Sequence, residues 1–356
     1  MHVKAHRGQS TDRHGTLMRN AHLIAEVVAM IDIPGGPIND RSAWTAVELA
    51  ANPSWIHHLD PIEVNELERA AQSVSAAGAI SHSFEREQFP LPTLGERLRR
   101  IVDELENGLG CALIRGLDMR RYDIATAKTI YWGLAVHLGI PISQNARGEH
   151  IAHVADAGND YQAKNVRGYT TRARLRPHCD ASDVVGLLCW RTAKAGGESL
   201  IASSTAIFNE ILRTRPDYLP ALFRGFHYDL RGEGATDDPD EVTFHRVPVF
   251  SWFAGRLSCR FNQKSIEEGM VKAGMPLTKL EQAAVNYVGE LTLSDPLCHP
   301  LTFQQGDIQL LNNHTVLHSR TAFEDWPEPD RRRNLLRLWL NLCVRAGHSR
   351  LSLLND

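Results

Sequence analysis

Runs of apolar and β-branched residues lie on both sides of a long helical stretch in the second half of the chain. Residues 184–189 and 199–203 have the pattern of buried strands joined by a Gly-Gly turn, and residues 308–311 and 335–343 return to it. The segment between them, about 206–300, favours helices at 206–225, 264–273 and 278–291. Strands that flank a helical insertion predict one β-core with an elaboration, and thus a single domain over residues 1–356.

The N-terminal part, residues 1–109, is predicted to be a helical elaboration of that core. Asp60 precedes a proline and an acidic residue at the third helical position, a capping pattern that begins a helix. Thr93 repeats the pattern before a second helix, which ends near Gly108. A buried strand follows at residues 111–114, and Asp123 begins a third helix. The β-core is therefore expected to occupy residues 110–343, with the insertion at about 206–300.

Composition excludes several classes of protein. Hydrophobic residues make up 43% of the chain and charged residues 23%, so disorder of the whole chain is excluded. The net charge of −3 shows no basic excess, and we expect no nucleic-acid partner. The most apolar N-terminal stretch, residues 22–33, is too short to span a bilayer and lacks the flanks of a signal peptide. We therefore expect no membrane partner either. The sequence leaves open whether the protein forms a homo-oligomer.

The cysteines predict a reducing compartment. None of them forms a C-x-x-C pair, and a chain of this length does not need a disulfide framework. They are expected to be small buried apolar residues of a cytoplasmic protein. The six cysteines are Cys111, Cys179, Cys189, Cys259, Cys298 and Cys343.

The richest local feature for chemistry is the sequence Pro177-His178-Cys179-Asp180. Residues two apart on an extended strand point to the same face, so His178 and Asp180 can bind one metal ion. Two ligands do not complete a site, and the 2-His-1-carboxylate arrangement of non-haem iron needs a second histidine from elsewhere. Two further H-x-D triplets begin at His58 and His227. The first has a local explanation in its capping aspartate, and neither has a matching context downstream.

The context downstream of His178 is distinctive. Thr205 follows Asp180 by 25 residues, at the end of the strand after the Gly-Gly turn. His318 follows a Gly-Asp pair and an Asn-Asn pair, and an arginine cluster comes after it. In this order the residues resemble the taurine dioxygenase/TfdA family of Fe(II)- and 2-oxoglutarate-dependent dioxygenases. The resemblance covers about residues 110–343.

The resemblance implies a fold and a set of roles. The fold would be mainly β with helices: a double-stranded β-helix (jelly-roll) core with N-terminal helices and the long helical insertion. His178, Asp180 and His318 would hold Fe(II). The cosubstrate 2-oxoglutarate would chelate the iron, and Arg333 with Thr205 would bind its far carboxylate. Oxygen would then be used to hydroxylate an unactivated C–H bond, with release of succinate and CO2.

Two of these assignments have competitors. The interval from His318 to Arg333 is longer than the usual family interval, and Arg331 fits it better by count. We prefer Arg333 because it begins a strand on which Arg333, Leu335, Arg337 and Trp339 share one face, with leucines on the other. His314 competes as the distal ligand, but the family pattern favours His318, just before the sequence Arg-Thr-Ala-Phe.

Arg337 predicts a small, anionic substrate. It lies on the same face as Arg333, and the taurine-oxidising members hold the anionic group of the substrate with an arginine at this place. Pairing with a structural carboxylate is an equally good interpretation of Arg337. Desaturation or cyclisation would use the same residues as hydroxylation. A zinc hydrolase with the same ligands, and a non-catalytic binding module, are the remaining alternatives.

Overall fold

The computed structural model describes residues 32–78, 83–145, 147–161, 163, 166–236 and 238–342. Cys343 and the N-terminal stretch up to residue 31 lie outside these ranges. The described helices of six or more residues are α1 (Ala46–Ala51), α2 (Pro61–Ala76), α3 (Leu94–Asn107), α4 (Ile124–Leu138), α5 (Ser204–Thr214), α6 (Leu219–Arg224), α7 (Gln263–Lys272) and α8 (Lys279–Thr292).

The strands form two large sheets and two small sheets of two strands each. They are β1 (Ile56–His58), β2 (Cys111–Arg115), β3 (Ile140–Ile142), β4 (Ile151–Val154), β5 (Leu175–His178), β6 (Val184–Arg191), β7 (Ala195–Gly196), β8 (Ser199–Ser203), β9 (Phe250–Phe253), β10 (Arg256–Cys259), β11 (His299–Leu301), β12 (Ile308–Asn312), β13 (Val316–Arg320), β14 (Phe323–Glu324) and β15 (Asn334–Asn341). The larger sheet has the order β1-β2-β12-β6-β15-β3, with β4 also paired to β15. The smaller sheet has the order β11-β8-β13-β5.

The two sheets share one hydrophobic core. Val185 and Leu335 of the larger sheet pack in the same buried cluster as Ile201 and Val316 of the smaller sheet. Helices cover both outer faces: α2, α3 and α4 pack on the larger sheet, and the helices of the insertion pack on the smaller one. The class predicted from sequence, mainly β with helices, is confirmed, and the insertion does lie between strands of the core.

The local signals for helix starts were correct with one exception. Asp60 and Asp123 cap α2 and α4 through backbone N–H groups, as predicted. Thr93 makes no side-chain cap for α3, and its backbone is already helical. The carboxylate of Glu66 accepts hydrogen bonds from the Thr93 and Leu94 backbone N–H groups instead. This long-range contact satisfies other N–H groups at the helix start than a Thr93 side-chain cap would, and the helix still begins where it was expected.

No helix in the described part of the chain is both long and apolar enough to cross a membrane. The five cysteines within that part are free, and four of them are buried.

Candidate metal centre

Strand pairing brings the three predicted metal ligands together. Strands β5 and β13 are antiparallel neighbours, and His178 is the direct partner of His318 in their register. Asp180 follows β5 by two residues and turns its carboxylate to the same place. One potential ligand atom from each of these residues lies within 4.8 Å of the others, and the two imidazole centroids are 4.3 Å apart. The structure thus places His178, Asp180 and His318 together, as a shared metal site would require.

The two histidines are held in forms that suit metal binding. His178 Nδ1 lies 2.9 Å from the Arg176 carbonyl oxygen, which favours the tautomer with a proton on Nδ1 and leaves Nε2 free. His318 Nε2 is 3.8 Å from Asp180 Oδ2, and its buried Nδ1 has no hydrogen-bond partner. Burial, and then the nearby His178, lower the pKa of His318 to about 3. Both features leave a neutral imidazole, the form that binds metals.

Asp180 is fixed from three sides. Its backbone N–H donates to Asn313 Oδ1 at 2.9 Å, and Arg260 donates to its carbonyl oxygen. Arg337 Nη1 lies 3.5 Å from its Oδ1. Burial alone would raise the pKa of Asp180, but Arg337 and the two imidazoles hold it well below the usual range. A buried carboxylate that stays ionised beside two neutral imidazoles is a donor set for a divalent cation such as iron(II).

The competing histidines have other partners. His314 contacts Asp183 Oδ1 through Nε2 at 3.0 Å and Ser258 Oγ through Nδ1 at 2.9 Å, so both ring nitrogens are used. His227 Nδ1 contacts the carbonyl oxygen of Thr243, away from the cluster. Within the described part of the chain, His178, Asp180 and His318 are the one group of three or more His, Cys, Asp or Glu residues that could hold a metal ion.

The cluster opens into a cavity of about 1730 Å³. The alternation predicted for β15 is confirmed, because Arg333, Leu335, Arg337 and Trp339 all line this cavity. The leucines at positions 336, 338 and 340 are buried on the opposite face against the N-terminal helices. Arg331 lies in a surface turn with its guanidinium 3.6 Å from the centre of the Trp326 ring. The structure therefore brings Arg333 to the cavity and leaves Arg331 outside it.

Arg333 is a buried cation that has no carboxylate partner among the residues that the structure describes. Its side chain is 4% exposed, and its guanidinium has one hydrogen-bond contact, a long one of 3.5 Å to the Val154 carbonyl oxygen. Burial lowers its pKa to about 10, so it is charged at neutral pH. A Cβ atom on Gly197, whose φ is +79°, would lie 3.1 Å from Arg333 Nε. Glycine thus lets the turn before β8 approach the guanidinium closely.

Thr205 does not belong to this cavity, and its predicted position was wrong. Strand β8 ends at Ser203 and helix α5 begins at Ser204, so Thr205 lies in the first turn of that helix. Its hydroxyl contacts Ser42 Oγ at 2.7 Å, in the buried region behind the sheet. Ser199, at the start of β8, does line the cavity and carries a hydroxyl. A count from the Gly-Gly turn, which it follows by two residues, would have found it.

Gln144 is a site residue that the sequence did not indicate. It is 2% exposed, and its Oε1 accepts a hydrogen bond of 2.6 Å from Arg337 Nε. Its Nε2 donates to the carbonyl oxygens of Arg337 and His150. Gln144 thereby fixes the guanidinium that faces Asp180. Arg337 Nη2 is buried and unpaired, so one donor of Arg337 stays available.

Comparisons with known proteins agree with this geometry. A family model described as "Taurine catabolism dioxygenase TauD, TfdA family" matches residues 75–339. FR-33289 synthase of Streptomyces rubellomurinus (strain ATCC 31215) is 31% identical over 318 residues, which cover 88% of this chain and 93% of that protein.

Solved structures of similar fold include two iron oxygenases. Asparagine oxygenase, in complex with Fe(II), 2S,3S-3-hydroxyasparagine and succinate, has a TM-score of 0.63 at 17% identity, over 80% of this chain and 93% of that one. The non-heme iron oxygenase OrfP, in complex with Fe and alpha-ketoglutaric acid, has a TM-score of 0.59 at 14% identity, over 82% of this chain and 95% of that one. At these identities the likeness shows a shared fold.

Proposed function

The chain belongs to the taurine dioxygenase TauD/TfdA family, and from this premise we propose that it hydroxylates an unactivated C–H bond of a small anionic metabolite. It is a 2-oxoglutarate-dependent dioxygenase that uses iron(II) and O2 and releases succinate and CO2. The observation that carries the proposal is the buried cluster of His178, Asp180 and His318 at the base of a cavity whose wall carries the unpaired cation of Arg333.

His178, Asp180 and His318 are the residues that would hold the iron. The donor set fits, because two neutral imidazoles and one ionised carboxylate converge, with His318 Nε2 on the side of Asp180. Bound iron(II) would supply the oxidative decarboxylation of 2-oxoglutarate and the coupled hydroxylation of the substrate. Asn313, which accepts a hydrogen bond from the Asp180 backbone N–H, and Arg337, which contacts its carboxylate, would keep Asp180 in place during turnover.

Arg333 would bind the far carboxylate of 2-oxoglutarate, with the Ser199 hydroxyl in the place expected for Thr205. A guanidinium presents parallel N–H donors to a carboxylate, which a lysine does not. The position is buried, so the ion pair would form away from water, where it is strongest. Ser199 Oγ now donates to Gln309 Oε1 at 2.8 Å, a bond that it can exchange for one to the cosubstrate.

Arg337 would act on both the metal ligand and the substrate. It forms an ion pair with Asp180. Its Nη2 has no hydrogen-bond partner, and the residue lines the cavity. We assign the anionic group of the substrate to the neighbourhood of this donor. Leu335 and Trp339 on the same strand would provide the apolar part of the pocket that excludes water from the reacting carbon.

We also propose that the chain is one domain. The larger and smaller sheets share a core, and their strands are mostly antiparallel, as expected for the two halves of a double-stranded β-helix. The insertion at about 206–300 would then be a wall of the active site, since many cavity residues come from it. The free buried cysteines support a reducing, cytoplasmic location.

The decisive experiment is anaerobic. Iron(II) and then 2-oxoglutarate are added to the metal-free protein, and we expect a weak metal-to-ligand charge-transfer band that needs both components. His318→Ala and Asp180→Ala should lose the band. His314→Ala should keep it, because His314 lies four residues from His318 but contacts Asp183 and Ser258.

Other outcomes would favour the alternatives. No band, with zinc in the purified protein, would favour a hydrolase. No band and no bound metal would favour a binding module. With the band established, small anionic metabolites would be screened for succinate release coupled to their hydroxylation.

A further inference from the structure

The cavity wall opposite β15 carries an arginine whose backbone is strained. Arg231 and Gly232 are the central residues of a turn closed by the Glu233 N–H and the Leu230 carbonyl oxygen at 3.0 Å. Both have positive φ, 56° and 71°, as in a type I′ turn. Asparagine and glycine favour such a position, whereas arginine pays a conformational penalty there. Strain of this kind in a cavity wall is a reason to look for a functional role.

The turn is anchored, so the position of Arg231 is defined. The Arg231 backbone N–H donates to Asp229 Oδ1 at 2.8 Å. Lys272 Nζ of α7 donates to the same oxygen at 2.7 Å, and Asp229 is 3% exposed. The Leu230 N–H donates to the Glu241 carbonyl oxygen at 3.1 Å. A buried, ion-paired aspartate thus holds the backbone of Arg231 in place.

Most other arginines of the cavity already have partners. Four pair with carboxylates and three donate to backbone carbonyl oxygens. The carboxylate-paired ones are Arg167, Arg176, Arg246 and Arg337. The carbonyl-bound ones are Arg256, Arg260 and Arg320.

Two arginines of the cavity remain. Arg333 is assigned to the cosubstrate. Among the residues that the structure describes, the guanidinium of Arg231 has no ion pair and no hydrogen bond, although it lines the cavity and is only half-exposed.

Arg231 lines the same cavity as the metal ligands and Arg337. Burial, and then the charge of Arg231, lower the pKa of Arg167 to about 10, and Arg337 contributes to the same effect. Arg231 likewise contributes to the lowered pKa of His178. Three guanidinium groups, those of Arg167, Arg231 and Arg337, thus line the cavity that holds His178, and Glu233 is paired with the first of them. Such an arrangement favours a bound anion between them.

We propose that Arg231 is a substrate-binding residue, which holds the anionic group of the substrate against the metal centre. The inference rests on the proposed function, because it assumes a substrate in this cavity. It adds a cation from the insertion to the one that Arg337 offers from the core. The group recognised would be a carboxylate, sulfonate or phosphate, since a guanidinium binds all three through paired N–H donors.

The test uses methanesulfonate as the probe and dimethyl sulfone as its uncharged analogue. Both are titrated by calorimetry into the anaerobic protein with Fe(II) and saturating 2-oxoglutarate, so that Arg333 is occupied. We expect the wild-type protein to bind methanesulfonate more tightly than the sulfone. Arg231→Asn should weaken methanesulfonate binding by about tenfold, the effect of one charged hydrogen bond.

The variants separate binding from folding. Asparagine favours the left-handed backbone at position 231, so Arg231→Asn should melt at or above the wild-type temperature. Arg256→Gln is the matched control: it removes the same charge from an exposed arginine of the cavity lining that donates to the Glu106 carbonyl oxygen, and it should leave the affinity unchanged. Equal affinities of wild type and Arg231→Asn, an equal loss in Arg256→Gln, or no preference for the charged probe would each overturn the inference.

The proposed function is read separately from the same samples. Calorimetry detects the anion whether or not the charge-transfer band has formed. A protein that binds methanesulfonate through Arg231 but shows no band would keep this inference and refute the oxygenase. A protein that shows the band, but whose affinity for methanesulfonate is unchanged by Arg231→Asn, would keep the oxygenase and refute this inference.

Discussion

Replacement of Arg333 should weaken the binding of 2-oxoglutarate far more than replacement of Arg331. The Arg333 guanidinium is buried, charged, and joined to the protein by one long contact of 3.5 Å. Removing one partner of a buried, hydrogen-bonded ion pair costs at least about 2 kcal/mol, which is about 30-fold in the dissociation constant. The Arg331 side chain is 50% exposed, and it stacks on Trp326 outside the cavity. Arg331→Gln should therefore change the constant less than twofold.

The assay is the anaerobic charge-transfer band, followed as 2-oxoglutarate is added to Fe(II)-loaded protein. Its midpoint gives the dissociation constant directly, without a substrate. Arg333→Gln keeps much of the side-chain volume and removes the charge, and no carboxylate of the protein is left unpaired by it. If Arg331→Gln sharply lowered the affinity for 2-oxoglutarate and Arg333→Gln did not, the strand register on which the assignment depends would be refuted.

Three further predictions concern the residues around the metal ligands. Asn313→Ala should destabilise the protein by about 2 kcal/mol, because the buried Asp180 N–H and Ser182 carbonyl oxygen lose their partner. It should also weaken iron binding in a chelator competition, and unchanged values of both would contradict the role given to Asn313. Gln144→Leu should lower the free energy of unfolding, measured by urea denaturation, by about 2–4 kcal/mol, since the charged Arg337 Nε and two carbonyl oxygens lose hydrogen bonds. A decrease below about 0.5 kcal/mol would be too small for such a network. Because the folded-state pKa of His318 is about 3 and its ordinary value is 6.5, the unfolded chain binds more protons between these values, and stability falls as the pH drops. From pH 7 to pH 5 the metal-free wild type should lose about 2 kcal/mol more than His318→Gln, and parallel pH profiles would show that His318 titrates normally.

The sequence predicted those parts of the fold and site that depend on local patterns. The period-2 alternation around Arg333 and Arg337 needs only an extended backbone, and the structure has one there. The pairing of His178 with His318 was predicted from the resemblance, and the antiparallel register of β5 and β13 accounts for it. The alternation lies on one short strand, whereas the two histidines come from different strands, so their pairing needed the family resemblance as well as the local pattern.

The predicted position of Thr205 was wrong because it was based on the number of residues from Asp180, whereas the end of strand β8 determines which side chains face the cavity. Strand β8 ends at Ser203, whose side chain caps the next helix through the Ala206 N–H. A residue two positions later is therefore helical and points away from the cavity. Ser199 keeps the position relative to the Gly-Gly turn, and the turn is fixed by the close approach of Gly197 to Arg333. Counting from a structural landmark would have succeeded where counting from Asp180 failed.

The pattern did not reveal Gln144 or Arg231, and it included Asn313 in the Asn-Asn pair without showing its contact with Asp180. Gln144 and Arg337 are 193 residues apart, and Asn313 and Asp180 are 133 apart, so only the folded chain joins them. The chain as a whole has a net charge of −3, yet folding gathers arginines from the N-terminal half, the insertion and the last strand into one cavity. Carboxylates neutralise some of them and leave others free. Selectivity for an anion is therefore a property of how charges are paired inside the cavity, which overall composition does not reveal.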